Sequence, residues 1–198
     1  MPLSPLSPPA TEACFGSLRA AYSGVSFDLQ PTLSGRYVQL RPLLPTDHDA
    51  LFAVASDPLI WEQHPDKTRS EPDGFRAFFQ GAIESGGALL ASDAATGAVI
   101  GSSRFHGYDP GADEVEIGWT FLARSCWGGQ YNRDMKHEML HHAFRFVNHV
   151  VFIIDPANYR SQRAVQKLGA LPIPDRTEPS GRVVRVFQIA LHRWQPDT

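Results

Sequence analysis

Cysteine is nearly absent: the 198-residue sequence holds two, Cys14 and Cys126. They stand far apart and in no paired motif, so they build neither a disulfide framework nor a metal site. That scarcity suits a reducing, cytoplasmic compartment. Cys126 is expected as a small buried apolar residue rather than a nucleophile. Positive charge is not in excess either. With 18 Lys and Arg against 21 Asp and Glu, the net charge is −3 and the pI near 6.2, which argues against nucleic acid as a partner. No apolar stretch approaches the roughly 20 residues of a membrane span. The N-terminal Met1 to Pro9 lacks the basic start and apolar centre of a signal peptide, so neither a membrane partner nor export is expected. Internal repeats are lacking too.

What is present is enough for one enzyme-sized domain, since 42% of the residues are hydrophobic and a chain of this length buries a proper core. Residues 1–32, rich in proline, serine and small side chains, read as an extension that is flexible or packs across a domain spanning 33–198. Within that domain the most informative run is Trp127-Gly128-Gly129-Gln130-Tyr131-Asn132. Small residues before a helix let successive N–H groups point into one concavity, and the helix dipole adds positive potential there. The spacing of Met135, Met139, Leu140, Ala143, Phe144, Phe146 and Val147 predicts that helix, ending at Asn148-His149. Upstream, Val115 to Phe121 reads as a strand with Glu116 and Gly118 on the face opposite Ile117 and Trp119. Downstream, Val150 to Ile154 reads as a buried strand parallel to it. Asn158-Tyr159-Arg160-Ser161 then opens a helix that closes at Lys167-Leu168-Gly169, with Gly169 a left-handed cap.

The remaining elements are coarser. A helix capped by Asp47 runs to Ala55, and another starts at Ser70, with Pro72 in its first turn, and continues through Ile83. Leu89 to Ala91 and Val99 to Phe105 form a hairpin around Ala95-Thr96-Gly97, and Arg182 to Leu191 is a last strand. Strands first, then alternating helix and strand, predict a mixed α/β (α+β) sheet with helices on both faces.

From Leu33 to Leu191 these segments resemble the GNAT N-acetyltransferases, and within them the branch that acetylates ribosomal-protein N-termini, the RimJ/RimL type. The resemblance rests on Leu33-Ser34-Gly35-Arg36-Tyr37-Val38-Gln39-Leu40-Arg41-Pro42-Leu43, Glu116-Ile117-Gly118-Trp119, Trp127-Gly128-Gly129 and Asn158…Ser161…Lys167-Leu168-Gly169, in that order. It implies a twisted, mostly antiparallel sheet whose two parallel strands splay apart around acetyl-CoA. It further implies acetyl transfer to an amine acceptor by direct attack in a ternary complex, no metal, and a homodimer as an assembly common in the family. Backbone amides at residues 128 to 133, with Trp127 and Arg133 beside them, would hold the pyrophosphate. In the strand from Trp119 through Phe121 to Leu122 an irregularity would free an N–H for the carbonyl oxygen, and Asn158 would bind the pantetheine arm.

Several positions depart from the family pattern. Gln130 replaces a loop glycine, where its side chain either narrows the phosphate approach or binds it. Val165 stands where many members carry a tyrosine acid, and Ser161 matches the serine of the RimJ/RimL branch. Arg133 and Lys136 lie in the first helical turns, where the dipole alone favours acids, so they answer either phosphates or solvent.

Acyl transfer needs a route for the amine proton, a donor to the carbonyl oxygen and a partner for the sulfur. Glu116 is the candidate base and Ser161 the candidate for the sulfur; surface pairing and helix capping are their plain alternatives. An α-amine of pKa near 8 needs about 1.4 kcal/mol for deprotonation at pH 7, against about 4 to 5 kcal/mol for lysine, which favours an N-terminus or a small amine of low pKa. Trp61, His64, Phe75, Phe78, Phe79 and His106 are expected near the acceptor side, or in the core. A competing motif is His137-Glu138-Met139-Leu140-His141, a zinc-hydrolase pattern without the glycine and third histidine of its longer form; in the acetyltransferase reading His137, Glu138 and His141 face solvent. A third class is an acyl-CoA-binding protein without catalysis.

Overall fold

The computed structural model describes residues 26–194; Cys14 and most of the segment read as an extension lie outside them. Eight strands make one sheet: β1 (Leu33–Ser34), β2 (Val38–Pro42), β3 (Ala88–Asp93), β4 (Val99–Asp109), β5 (Glu114–Leu122), β6 (His149–Ile154), β7 (Leu171–Thr177) and β8 (Val183–Ala190). Their spatial order is β1-β2-β3-β4-β5-β6-β8-β7. Every neighbouring pair is antiparallel except β5 and β6. Four helices cover it: α1 (His48–Ala55), α2 (Pro72–Glu84), α3 (Gln130–Ala143) and α4 (Tyr159–Lys167).

Alternation explains the layers. Val38 and Leu40 of β2, and Val184 and Val186 of β8, are buried while Gln39 and Arg185 between them are exposed, the period of a half-buried strand. One core lies between the sheet and α3, where Met135, Met139, Leu140 and Phe144 meet Phe105, Ile117, Val150 and Phe152. A second lies on the opposite face, where Leu51 of α1 and Phe75 and Phe79 of α2 meet Leu90 and Phe121. Phe27 reaches the first core, with its ring 5.0 Å from those of Tyr108 and Phe146.

Several expectations need correction. Asp47 precedes α1 but does not cap it through its side chain. Its carboxylate instead takes both Arg41 Nη groups at 2.7 Å and the Leu44 N–H at 2.8 Å, because the short turn Pro45–Asp47 aims it back at β2. Helix α2 begins at Pro72 rather than Ser70, after a separate turn at Thr68–Ser70. Helix α3 ends at Ala143, short of Asn148, and Phe144 and Val147 are buried from the turn that follows. β7 has no counterpart in the sequence reading. It pairs only with β8, and a sheet edge is where Pro172 and Pro174 are tolerated.

Candidate active site

β5 and β6 run side by side for three register pairs, Glu114 with His149, Val115 with Val150 and Glu116 with Val151, and pair no further. β6 stays in register with β8 as far as Ile154 and β5 with β4 as far as Leu122, so the sheet parts where β5 leaves β6. Its departure coincides with a break in its other ladder: Gly118 faces Arg104 and Phe121 faces Ser102, leaving Trp119 and Thr120 opposite Ser103 alone. Trp119 has φ +49°, a left-handed conformation that costs a non-glycine residue about 1 kcal/mol or more. This bulge corrects the predicted faces. Trp119 lies on the same side as Glu116, its ring 4.6 Å from the Arg104 guanidinium and 4.8 Å from His106, while Thr120 turns toward α3.

The gap opens into a cavity of about 1200 Å³. Of the residues predicted for the site, Glu116, Trp119, Phe121, Leu122, Trp127, Gly128, Asn132, Asn158 and Ser161 all line it, with Thr120 and Val165. Gly129, Gln130, Tyr131 and Arg133 do not. Gly129 is the N-cap of α3 and offers its first amides no side chain, Gln130 and Arg133 are exposed, and the Tyr131 hydroxyl donates to Asp93 Oδ2 at 2.6 Å. Trp127 is fixed by its indole N–H to Leu122 O at 2.9 Å and carries the Arg160 guanidinium over its ring at 4.2 Å. Arg160 also donates to Ile60 O at 2.6 Å, so it joins the loop before α3 to the start of α4 across the cleft. Asn158 caps α4, its Oδ1 accepting from Ser161 N at 3.1 Å. Gly169 follows α4 with φ +91°, the left-handed end foreseen.

Glu116 is 8% exposed, and burial pushes its carboxyl up to about 7, against the pull of Arg176 and Arg104. Gly118 makes room for that carboxylate, since a Cβ there would sit 2.8 Å from Glu116 Oε1. His64, Trp61 and His106 line the same side, and burial pushes His64 down to about 4. Phe75, Phe78 and Phe79 belong to the second core instead.

Lys136 departs most from expectation. It is 4% exposed, neither at the surface nor at the phosphate loop, and its Nζ donates to Ser103 Oγ at 2.9 Å and Thr120 Oγ1 at 2.5 Å. Burial pushes it down to about 7, opposed by Glu116. The signal lay in helical spacing: Lys136 precedes the core residues Met139 and Leu140 by one turn. Arg160 gave no comparable signal.

The H-E-x-x-H residues do not face open solvent. His137, Glu138 and His141 are half-buried, with the two rings 5.2 and 6.3 Å from Trp194. Among the described residues no group of three or more His, Cys, Asp or Glu is placed to hold a metal ion. Cys126 is buried in the first core, and no described helix is long and apolar enough to cross a membrane.

A parted parallel strand pair, a bulged strand edge and an uncapped helix start surround one cavity. The family model described as "Acetyltransferase (GNAT) domain" matches residues 38–171, well over half of the chain, and the chain belongs to that family. Solved structures share the fold. A GCN5-related N-acetyltransferase from Brucella melitensis superposes with TM-score 0.73 at 20% identity, over 83% of this chain and 80% of the other. A GNAT-family acetyltransferase from Bacillus anthracis gives 0.65 at 15%, over 82% and 100%. Mycobacterium smegmatis RimJ, in complex with CoA-disulfide, gives 0.63 at 16%, over 81% and 88%. No curated protein matches the sequence.

Proposed function

We propose that this N-acetyltransferase moves the acetyl group of acetyl-CoA to an α-amine, of a protein N-terminus or a small molecule, by direct attack within a ternary complex. The observation that carries the reading is the gap after Glu116 and Val151, bordered on one side by the bulge at Trp119 and Thr120. The cleft suits the donor. Its volume of about 1200 Å³ exceeds what most drug-sized ligands need, and β5 beyond Glu116 has no strand partner on that side. Helix α3 starts at a glycine with no side-chain cap, leaving its first N–H groups for an anion such as a pyrophosphate. Gly128, with φ +70°, and Asn132 border the same cavity.

In this reading Glu116 accepts the proton of the attacking amine. A carboxylate near 7 takes a proton from an α-amine of pKa near 8 with about 1.4 kcal/mol against it, and from a lysine of pKa near 10.4 with about 4 to 5 kcal/mol against it. An N–H in the bulge between Trp119 and Leu122 meets the negative charge that builds on the carbonyl oxygen, the arrangement that stabilises acyl-transfer transition states. Asn158 presents its amide to the pantetheine arm while capping α4. The Ser161 hydroxyl hydrogen-bonds the sulfur. Residues 33–198 form the transferase domain, 1–32 an extension, and the enzyme works in the cytoplasm without metal or nucleic acid.

Calorimetry with acetyl-CoA, followed by thiol-release assays on N-terminal peptides, lysine peptides, polyamines and aminoglycosides, tests this. Micromolar binding with turnover on α-amines is expected. Turnover on lysine alone overturns the acceptor class, and binding without any turnover favours a non-catalytic protein. No binding overturns the donor.

A further inference from the structure

Of the buried titratable groups that the chemistry above leaves unused, one lines the cleft. Lys136 reaches from α3 to the floor of the cleft, where its Nζ meets two hydroxyls, Ser103 Oγ on β4 and Thr120 Oγ1 on β5. Neither is an anion, and among the described residues no carboxylate forms an ion pair with it. The other neighbours of the amine are the Phe152 ring of β6, 5.9 Å away, and the charge of Glu116. An ammonium has three N–H donors, so one remains after the hydroxyls are served. Buried charges are ordinarily paired; this one borders the cavity instead. Glu116 and Lys136 approach the gap from opposite faces of the sheet, since Glu116 shares the Trp119 side and Thr120 turns toward α3.

We infer that Lys136 is the proton donor to the sulfur that departs during acetyl transfer, an inference resting on the function proposed above. As the acceptor nitrogen bonds to the carbonyl carbon, the C–S bond breaks and its electron pair goes to sulfur. Sulfur takes a proton from Lys136 Nζ, while the nitrogen gives its proton to Glu116. Lys136 is left neutral and Glu116 protonated, and a proton passed between them through cleft water restores both. Ser161 cannot replace it: its hydroxyl donates a hydrogen bond but has no ionised form within reach of neutral pH. Energetics agree, because a lysine held near 7 gives its proton downhill to a thiolate whose acid has a pKa near 8.5, whereas an ordinary lysine near 10.4 would give it uphill.

The test compares the full chain with Lys136→Met and with Lys136→Gln, which keeps a polar contact to the hydroxyls but has no proton to give. Desulfo-CoA, lacking the thiol, should bind all three within about threefold. Thiol release from acetyl-CoA, to an accepted amine or to water, should fall about 100-fold or more in kcat in both variants, with KM for acetyl-CoA little changed. The decline of kcat above neutral pH in the parent should vanish in both. Full kcat with the alkaline decline retained in either variant overturns the inference, as does weakened desulfo-CoA binding without loss of kcat, or acetylation of Lys136 itself on mass analysis. If the parent chain binds neither acetyl-CoA nor desulfo-CoA, the proposed function has failed first and the inference falls with it.

Discussion

Glu116 is placed where burial and catalysis make opposite demands. Its carboxyl sits near 7 in the folded chain against 4.5 for the free group. Between those values the native state holds a proton that the unfolded chain has lost, so stability falls as pH rises from about 4.5 to 7, by about 3 kcal/mol in total. Glu116→Gln removes that loss. The variant should therefore be more stable than the parent at pH 8 and nearly equal at pH 4.5, as urea titrations at the two pH values will show. Its kcat should drop by about 100-fold or more. Gly118→Ala acts on the same carboxylate indirectly: the added methyl would meet Glu116 Oε1 at 2.8 Å. It should lower kcat without abolishing acetyl-CoA binding, read by steady-state kinetics beside calorimetry. With the base near 7, activity should fall as pH drops below neutrality, when Glu116 gains its proton, and the acidic limb of the kcat profile should be lost in Glu116→Gln.

At the level of elements, one carboxylate ties α3 to the β1–β2 turn. Asp134 accepts from Tyr37 N at 2.7 Å, Val38 N at 2.9 Å and Arg36 N at 3.2 Å, and Gly35 lets it approach, since a Cβ there would lie 2.3 Å from Asp134 Oδ2. Asp134→Ala leaves three amides of the β1–β2 turn without that acceptor and should cost about 3 kcal/mol, measured by denaturant unfolding. Asn158→Ala removes the cap of α4 and should cost about 1 kcal/mol; a rise in KM for acetyl-CoA beyond that small loss would assign Asn158 a contact with the donor. What the sequence showed at this level followed from periodicity. The methionine and leucine stripe of α3, the apolar run of β6 and the glycine after α4 each have one physical reading. What it hid depends on distant partners. Asp134 looks like any acidic residue in the second turn of a helix until the β1–β2 turn comes to it, and Asp47 looks like a cap until Arg41 claims it. The irregularity near Trp119 came from the family resemblance, whereas the face Trp119 takes was hidden, because alternation assigns faces only while a strand keeps its phase. β7 was hidden because its prolines are acceptable only at an edge, and the edge exists only once the sheet is assembled.

Across the whole molecule, the sheet is two blocks, β1 to β5 and β6 to β8, whose ladders meet in three residue pairs. A donor bound in the gap would touch both blocks, so its binding should count strongly in thermal stability. At about 100 times its Kd, acetyl-CoA should add about 2.7 kcal/mol, raising Tm by about 5 to 10 °C for a chain of this size; differential scanning fluorimetry across a concentration series checks it. The family was legible from four short segments, three of which contribute to the gap: Glu116 to Trp119, Trp127 with Gly128, and Asn158 with Ser161 line the cavity, while Leu33 to Leu43 lies at the far margin of the sheet. The acceptor side was less legible, being assembled from the turns and loop between α1 and α2, where Ile60 and Trp61 are shared between cavity and core. The two outer margins of the sheet carry a separate consequence. β1 is two residues long and β7 contains two prolines, so neither end offers a continuous row of donors and acceptors to a neighbouring molecule. Among the described residues, the two margins of the sheet therefore give a neighbouring copy a poor template for edge-to-edge pairing.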